Sequence, residues 1–395
     1  MKIAIYNLNF AFLGGGERQT CALAAHLARK HNVTIFVSSP VSIELIKASF
    51  GLDLSNVEII SLEHKDYLTE ITRCQPDLFI NNSHGSKLPS PAHRGIYMCM
   101  FPSRPSFRAI DLSSYQIITA NSQFTAKWIK RRWGRSSEVV YSPCPDMGPP
   151  SNKQKIILNV ARFSVDTRGH PKRQDTLLHA FRQLVDDGLR DWELHLVGHV
   201  GPTNKDAAFV EWLRNAALGY PVHIQPDIEF NELQRLYQQS SIYWHATGFG
   251  TFEAIQPGRQ EHFGISIIEA MSAGVVPVVL NKGGPREIIK PGVNGYLWNS
   301  LSELKALSVN LTKDPQSFQK LSTAAVIDSR TFNVDEFLDR MDRIIERIMA
   351  PDYHVTPASG RFQKWSNFLG SSGLDRGASA GSAKHLPLTS PDQYT

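Results

Sequence analysis

Short apolar runs alternate with longer amphipathic stretches along the chain. Runs of this length predict buried parallel strands, and the amphipathic stretches predict the helices that cover them. In the first part of the chain, strands are predicted at residues 2–6, 33–37, 57–60, 77–81, 95–101, 116–121 and 139–143. Helices are predicted at residues 16–30, 41–50, 65–73 and 122–133. This alternation is typical of one doubly wound α/β domain, which we assign to residues 1–145.

A second alternation of the same kind follows a proline-rich linker at residues 146–153. Strands are predicted at residues 155–162, 192–198, 222–226, 242–247 and 275–280, with helices at 175–187, 205–217, 231–240 and 265–273. We assign this second α/β domain to residues 154–331. An amphipathic helix is predicted within residues 332–350, and the Ser-, Gly- and Pro-rich tail at 351–395 is expected to be largely disordered.

The composition narrows the class of protein. The 395 residues are 42% hydrophobic and 20% charged, which is ordinary for a soluble globular protein of two or three domains. The net charge of +5 suits an acidic ligand or an anionic surface, but it is too small to predict nucleic-acid binding. The four cysteines are scattered without metal-ligand spacing, and no apolar run of 18 residues exists. These features predict a cytoplasmic enzyme.

One stretch, Glu261–Gly274, carries most of the predicted chemistry. Helical spacing begins after Gly264, so Glu261 lies in the loop before the helix and Glu269 lies just over one turn inside it. The free N–H groups at a helix N-terminus suit a phosphate, and a carboxylate within the helix suits a diol. A sugar nucleotide would place its sugar at Glu261, its diphosphate at the loop and its ribose at Glu269.

A glycine-rich turn follows the first predicted strand, at Gly14–Gly16. A tight turn between strand and helix is one explanation. The other is that Gly15 and Gly16 let the backbone approach a diphosphate across a cleft between domains.

Four segments together resemble the retaining nucleotide-sugar glycosyltransferases of the GT-B fold that carry a Glu-x7-Glu motif. They are GGGERQTCALAAHLAR from Gly14, NVARFSVDTRGHPKRQDTLLHAF from Asn159, EHFGISIIEAMSAG from Glu261, and VVPVVLNKGGPREIIKPGVNGYLW from Val275. The resemblance extends over roughly residues 1 to 350. It implies two Rossmann-like domains that face a cleft, with a last helix that crosses back onto the N-terminal domain.

The resemblance also implies roles for particular residues. Arg162 and Lys172 would hold the donor diphosphate, although Arg173 stands where a glycine is usual. Glu261 would contact the sugar, with an electrostatic and positioning role. Backbone donors would come from His262, Phe263, Gly264, Ile265, Gly283 and Gly284. Because protein cations can stabilise a departing diphosphate, no metal is expected.

The catalytic histidine of the family is not recovered cleanly. Alignment places Asn82 at its position, and His84 follows two residues later. A related branch carries the histidine where this chain has Met100. His84 is the candidate, and a plain surface histidine is the alternative. His245, at the end of a predicted strand, is another candidate for the cleft.

The main hypothesis is a retaining, metal-independent glycosyltransferase that transfers a sugar from a nucleoside-diphosphate sugar to a saccharide or lipid-linked saccharide in cell-surface glycan synthesis. GDP-mannose is the first guess for the donor, because the motifs look most like mannosyltransferase-type members. A non-catalytic nucleotide- or saccharide-binding subunit and a nucleotide-sugar epimerase are the alternatives. The basic helix 122–133 could rest on an anionic membrane at its inner face, or its tryptophans could pack inward, which we favour.

Overall fold

The computed structural model describes residues 1–8, 10, 14–62, 66–104, 112–165 and 171–353. One compact unit, Met1–Tyr353, contains both predicted domains. Nearly all of the tail 351–395, for which we predicted disorder, lies outside the described residues.

The first half of the compact unit is a parallel sheet with helices on its faces. Within the described residues the strands are β1 (Lys2–Tyr6), β2 (Asn32–Val37), β3 (Val57–Ser61), β4 (Leu78–Asn81), β5 (Arg94–Cys99), β6 (Ile117–Ala120) and β7 (Glu138–Val139). The helices are α1 (Gly15–Leu27), α2 (Ile43–Phe50), α3 (Tyr67–Arg73) and α4 (Gln123–Trp133). The strand order is β3-β2-β1-β4-β5-β6-β7, with every pairing parallel.

The strand predicted at residues 139–143 is wrong for most of its length, because β7 ends at Val139. Tyr141 instead turns toward the second half of the molecule. Its ring stacks on Phe263 with centroids 5.3 Å apart, and its hydroxyl donates to Glu287 at 3.1 Å. The apolar pattern here therefore reflects a contact between the two halves of the chain.

The second half repeats the plan around another parallel sheet. Its described strands are β8 (Ile156–Val160), β9 (Glu193–Gly198), β10 (Val222–Pro226), β11 (Ile242–His245), β12 (Val276–Leu280) and β13 (Tyr296–Trp298), in the order β10-β9-β8-β11-β12-β13. The helices are α5 (Gln174–Asp186), α6 (Asn204–Ala216), α7 (Phe230–Gln239), α8 (Ile265–Ser272), α9 (Pro285–Ile288), α10 (Leu301–Lys313), α11 (Pro315–Ser329) and α12 (Val334–Met349).

Our predictions did not include β13, α9, α10 and α11, although capping signals for α10 and α11 are present in the sequence. The Ser300 side chain accepts from the N–H of Glu303 at the start of α10. Asp314 caps α11 in the same way, and Pro315 occupies the first helical position. Both are common helix starts.

The amphipathic helix α12 packs against the first sheet, although it follows the second in the chain. Its buried residues Phe337, Met341, Ile344, Ile345 and Ile348 belong to the same apolar cluster as residues of β1, β2 and α1. His26 of α1 also pairs with Asp342 of α12 at 2.7 Å. Burial of this apolar stripe ties the end of the compact unit to its beginning.

The two halves of the compact unit also contact each other directly. The carboxylate of Glu287, at α9, accepts from the N–H groups of Gln123 and Phe124 at 2.7 and 2.9 Å, so it caps α4 of the other half. The ring of Phe101 stacks on His262 with centroids 4.0 Å apart. These contacts hold the two halves together, because hydrogen bonds to a carboxylate and stacked rings both have a defined geometry.

The structure distinguishes the two explanations for the tryptophans of α4, contact with a membrane and packing inward. Phe124 and Trp128 are buried in a cluster with Phe101, and Trp133 packs edge-on against Tyr97. Lys127, Lys130 and Arg131 remain exposed. The apolar face therefore points inward, as we favoured. Among the described helices, none combines the length and the apolar character needed to cross a bilayer.

Candidate functional site

An ion pair between Lys172 and Glu261 lies at the centre of the predicted site. The Lys172 Nζ is 2.8 Å from the Glu261 Oε2, and the two side chains are 23% and 16% exposed. The His245 Nε2 lies 3.4 Å from the same oxygen. The three residues come from the segment before α5, from β11 and from the loop before α8, so only the folded sheet brings them together.

His245 lies beside this ion pair in a buried position. It is buried at the carboxyl end of β11, and burial lowers its pKa, partly offset by Glu261. Its Nδ1 has no hydrogen-bond partner among the described residues. Glu261 therefore lies in contact with both the Lys172 ammonium and the His245 imidazole.

The N-terminus of α8 lies just after Glu261. Gly264 occupies the position before the helix with φ of 116°, a left-handed conformation that side chains rarely adopt. The first N–H groups of a helix have no partner within it, so the start of α8 offers donors to an anion. Phe263 anchors this loop, because its ring is buried between Tyr141 and Phe332.

A second glycine turn presses against the same loop. A Cβ on Gly283 would lie 2.2 Å from the Glu261 carbonyl oxygen, and one on Gly284 would lie 2.2 Å from that of His262. The Gly284 N–H donates to the Glu261 carbonyl at 2.8 Å. Only glycine allows this approach, so the turn fixes the main chain that carries Glu261.

Glu269 lies within α8 and is half-buried. Its Oε2 accepts from the Tyr237 hydroxyl at 2.8 Å. Burial raises the pKa of Glu269, while the charge of Arg18 and the Tyr237 hydrogen bond oppose that rise. Arg18 belongs to α1, so the environment of this carboxyl includes a charge from the other half of the molecule.

The glycine turn of the first half contacts the start of α8 in the second half. A Cβ on Gly15 would lie 2.5 Å from the Cδ1 of Ile265, and one on Gly16 would lie 2.0 Å from the Cε of Met100. A Cβ on Gly14 would lie 3.7 Å from a guanidinium nitrogen of Arg162. Because this turn has no side chains, the two halves of the molecule can come together at the start of α8.

The segment that carries Arg162 and Lys172 is held by its neighbours, although residues 166–170 within it lie outside the described residues. The Gln174 side chain donates to the carbonyls of Ala161 and Arg162, both at 3.1 Å. Arg173 has φ of 59°, which explains why a glycine suits this position. Its guanidinium donates to the Phe249 carbonyl at 3.1 Å and pairs with Asp175 at 3.0 Å.

Asn82 and His84 occupy different environments. The Asn82 side-chain amide is buried and donates to the Gly16 carbonyl at 3.2 Å and to the Thr20 hydroxyl at 2.9 Å. His84 is exposed. Asn82 therefore holds the glycine turn in place, and of the two His84 is the one whose side chain is open to a ligand.

Glu17 is a site residue that our sequence reasoning missed. Its Oε2 accepts from the Gly14 N–H at 2.8 Å and so closes the start of α1. Glu17 is buried, and burial raises its pKa against the opposing effects of hydrogen bonds and Arg162. The spacing Gly-x-x-Glu at a helix start is a capping signal that could have identified it.

This arrangement combines two cations, a helix N-terminus, a shielded carboxylate and a glycine turn. It can bind a diphosphate and hold a hydroxylated ligand beside Glu261. In the described part of the chain, the one group of three metal-ligand side chains is Glu193, His195 and His223, which is outside this cleft.

The family described as Glycosyl transferases group 1 matches residues 147–346 of this chain, which is half of its length. That stretch includes Arg162, Lys172, Glu261 and Glu269.

Curated relatives include the GDP-Man:Man(3)GlcNAc(2)-PP-Dol alpha-1,2-mannosyltransferases. The protein of Dictyostelium discoideum is 27% identical over 209 residues, which cover 48% of this chain and 38% of the relative. The human protein is 26% identical over 211 residues, and this alignment covers 48% of this chain and 39% of the human protein. Sucrose synthase 5 of Oryza sativa subsp. japonica is 36% identical over a shorter stretch of 78 residues. These alignments thus cover well under two thirds of the relatives' own length.

Solved structures match over most of the chain at low identity. The Anabaena Alr3699/HepE structure in complex with UDP and glucose has a TM-score of 0.67 at 16% identity and covers 88% of this chain and 99% of that one. A glycosyltransferase from Rickettsia africae ESF-5 has a TM-score of 0.69 at 16% identity and covers 89% and 99%. These matches establish the fold as two Rossmann-like domains of the GT-B type.

Proposed function

The chain belongs to the glycosyl transferases group 1, and from this premise we propose that it is a retaining glycosyltransferase that uses a nucleoside-diphosphate sugar without a metal ion at the diphosphate. The observation that carries the proposal is the Lys172–Glu261 pair beside the N-terminus of α8, opposite the glycine turn of the other half. A cation, a helix N-terminus and an acceptor of hydroxyl hydrogen bonds lie together there.

Departure of the nucleoside diphosphate is the step that the cations serve. Negative charge grows on the diphosphate as the glycosidic bond breaks, so Lys172 and Arg162 stabilise the transition state more than the bound substrate. The N–H groups at the start of α8 add fixed dipoles of the same sign. The leaving group therefore receives its countercharge from protein groups.

Glu261 positions the sugar. Its ion pair with Lys172 makes it a weaker nucleophile than a free carboxylate, which supports a role in orienting sugar hydroxyls and stabilising positive charge on the reacting carbon. Glu269, held by Tyr237, would accept the hydrogen bonds of the ribose. His84 would face the sugar from the other wall, while Asn82 holds the glycine turn.

The donor and acceptor are proposed from the sequence relatives. Their names specify GDP-mannose and a dolichol-linked saccharide, which favours GDP-mannose as donor and a lipid-linked saccharide as acceptor here. The exposed cations Lys127, Lys130 and Arg131 on α4 could contact an anionic membrane surface that presents such an acceptor.

A thermal-shift screen of nucleoside diphosphates and their sugars tests the donor, because a ligand that binds the folded state raises its melting temperature. We expect GDP and GDP-mannose to give the largest shifts. The reaction is then run with the best donor and a lipid-linked saccharide, with and without EDTA, and the anomeric configuration of the product is determined by NMR.

Retention of configuration and unchanged turnover in EDTA are the expected results. Inversion would rule out the retaining mechanism, and activity that EDTA abolishes and Mn²⁺ restores would rule out metal independence. Tight binding of the diphosphate without transfer to any acceptor would instead support a non-catalytic binding subunit.

A further inference from the structure

A second cluster of chemically active side chains lies at the opposite end of the C-terminal sheet from the cleft. Glu193 and His195 are two residues apart on β9, so they point to the same face. His223 of β10 is the direct register partner of His195. Parallel pairing thus brings two imidazoles and a carboxylate together on one face of the sheet.

The distances within this cluster suit the coordination of one ion. The Glu193 Oε2 lies 3.0 Å from the His195 Nε2 and 3.3 Å from the His223 Nε2. The three ligand atoms all lie within 4.8 Å of one another. Ligands at about 2.1 Å around a tetrahedral ion are about 3.4 Å apart, so small side-chain movements would complete the geometry.

The orientation of His195 is fixed by a second contact, as it is in many metal sites. Its Nδ1 lies 2.8 Å from the Gln225 Oε1, on the strand that also carries His223. Both ring nitrogens of this buried histidine thus face oxygen atoms. A neutral imidazole has one N–H and can donate to only one of them, whereas a metal ion on the Nε2 leaves the Nδ1–H for Gln225.

The site is also accessible to ions from solution. The side chains of Glu193 and His223 are each 48% exposed, while that of His195 is 9% exposed. The cluster therefore has one rigid, buried ligand and two ligands that can adjust.

We propose that Glu193, His195 and His223 bind one divalent transition-metal ion of the Zn²⁺ class, with Gln225 as a positioning residue. Two imidazoles and one carboxylate favour Zn²⁺, Ni²⁺ or Co²⁺ over Mg²⁺ and Ca²⁺, which prefer oxygen ligands. Because β10 is the edge strand of its sheet, the ion would clip that edge to β9.

The expected role is stabilisation of the sheet. Arg162 follows β8 and His245 ends β11, so the cleft lies at the carboxyl ends of the strands, whereas Glu193 begins β9 at the amino end. An ion that binds only the folded state raises the free energy of unfolding. The ion would lie at the opposite end of the sheet from the cleft, so removing it should leave turnover intact.

The test uses the untagged chain of residues 1–395, stripped of metal by EDTA and dialysed. Calorimetric titration with Zn²⁺ should give one tight equivalent, and the same Zn²⁺ should raise the melting temperature. Mg²⁺ and Ca²⁺ should change neither. Co²⁺ used in place of Zn²⁺ should give the visible absorption of a nitrogen- and oxygen-ligated ion.

Variants test whether the tightly bound equivalent of Zn²⁺ lies in this cluster. His223→Ala should lose the tight equivalent and the thermal shift, and His195→Ala should do the same. Gln225→Ala should keep the ion but bind it about tenfold more weakly. His179→Ala is the matched control, since His179 is an exposed histidine on α5 of the same domain, and it should bind Zn²⁺ as the parent does.

His223→Ala is the decisive variant, because its exposed side chain can be removed without opening the core. The proposal is overturned if the parent shows no tight equivalent, or if His223→Ala retains the equivalent and its Co²⁺ spectrum. A fall of turnover on stripping that parallels the loss of thermal stability would overturn the purely stabilising role.

Discussion

The two walls of the cleft offer a ligand different things. The wall from the second half carries charge: Lys172 paired with Glu261, the exposed Arg162, and Glu269 within α8. The wall from the first half instead lets its backbone approach a ligand closely, because its glycine turn has no side chains. Asn82 and Glu17 hold that turn in place. In the proposed function, the charged wall would select the diphosphate and the glycine turn would allow the close fit against it.

The largest expected effect lies on the charged wall. Lys172→Ala should lower kcat by roughly 10²–10³, as does loss of one preorganised donor in an oxyanion hole. It should also weaken binding of the free diphosphate, measured by calorimetry. Lys155→Ala is the matched control, because Lys155 forms an exposed ion pair with Asp191 in the same half.

Glu261→Ala sharpens this assignment. It should bind the free diphosphate nearly as the parent does, since we place Glu261 on the sugar. If Glu261→Ala loses diphosphate binding while Lys172→Ala and Arg162→Ala keep it, the roles assigned to this wall are wrong.

The next effect concerns two polar residues of the wall from the first half, His84 and Asn82. His84→Ala should lower kcat roughly tenfold, the equivalent of one hydrogen bond to the reacting sugar, with little change in diphosphate affinity. Asn82→Ala should instead lower the melting temperature, because it removes one buried donor to the Gly16 carbonyl and one to the Thr20 hydroxyl. Full activity in His84→Ala would make His84 a plain surface residue.

A smaller effect is expected where the walls touch. Gly15→Ala should reduce kcat/KM roughly fivefold, because its Cβ would overlap the Cδ1 of Ile265, and overpacking of this kind costs about 1–3 kcal/mol. Ile265→Val removes that Cδ1 and should restore much of the loss in the double variant, while having little effect alone. Steady-state kinetics of the three proteins decide whether this contact matters for catalysis.

The smallest effect should appear in stability. Because burial raises the pKa of Glu269, the folded protein holds that proton to higher pH than the unfolded chain. The free energy of unfolding contributed by Glu269 therefore falls as pH rises from the ordinary carboxyl range through the raised pKa. At pH 7, Glu269→Gln should melt about 2 °C higher than the parent without ligand.

That thermal gain should disappear below the ordinary pKa of a glutamate, where both proteins carry a neutral side chain. Binding of a nucleoside diphosphate should weaken by a few-fold in Glu269→Gln. A parent that melts higher than Glu269→Gln at pH 7 would show that this carboxylate does not cost stability.

Local pattern was enough to predict much of this protein. The alternation of apolar runs predicted both sheets, because a strand buried on both faces has to be apolar along its length. The glycine at residue 264 and the spacing of Glu261 and Glu269 predicted a helix start with one carboxylate before it and one inside it, and α8 begins at Ile265. These properties depend on residues that are near one another in the chain.

Only the tertiary structure decided which distant residues meet. The partners Lys172 and Glu261 are 89 residues apart, and their contact follows from the order of the strands. Likewise, Asn82 binds the glycine turn because β4 lies beside β1, and His223 faces His195 because β10 pairs with β9 in that register. Hydrophobic periodicity determines which face of a strand is buried, but it does not determine which strand lies next to it, so these contacts could not be derived from the pattern alone.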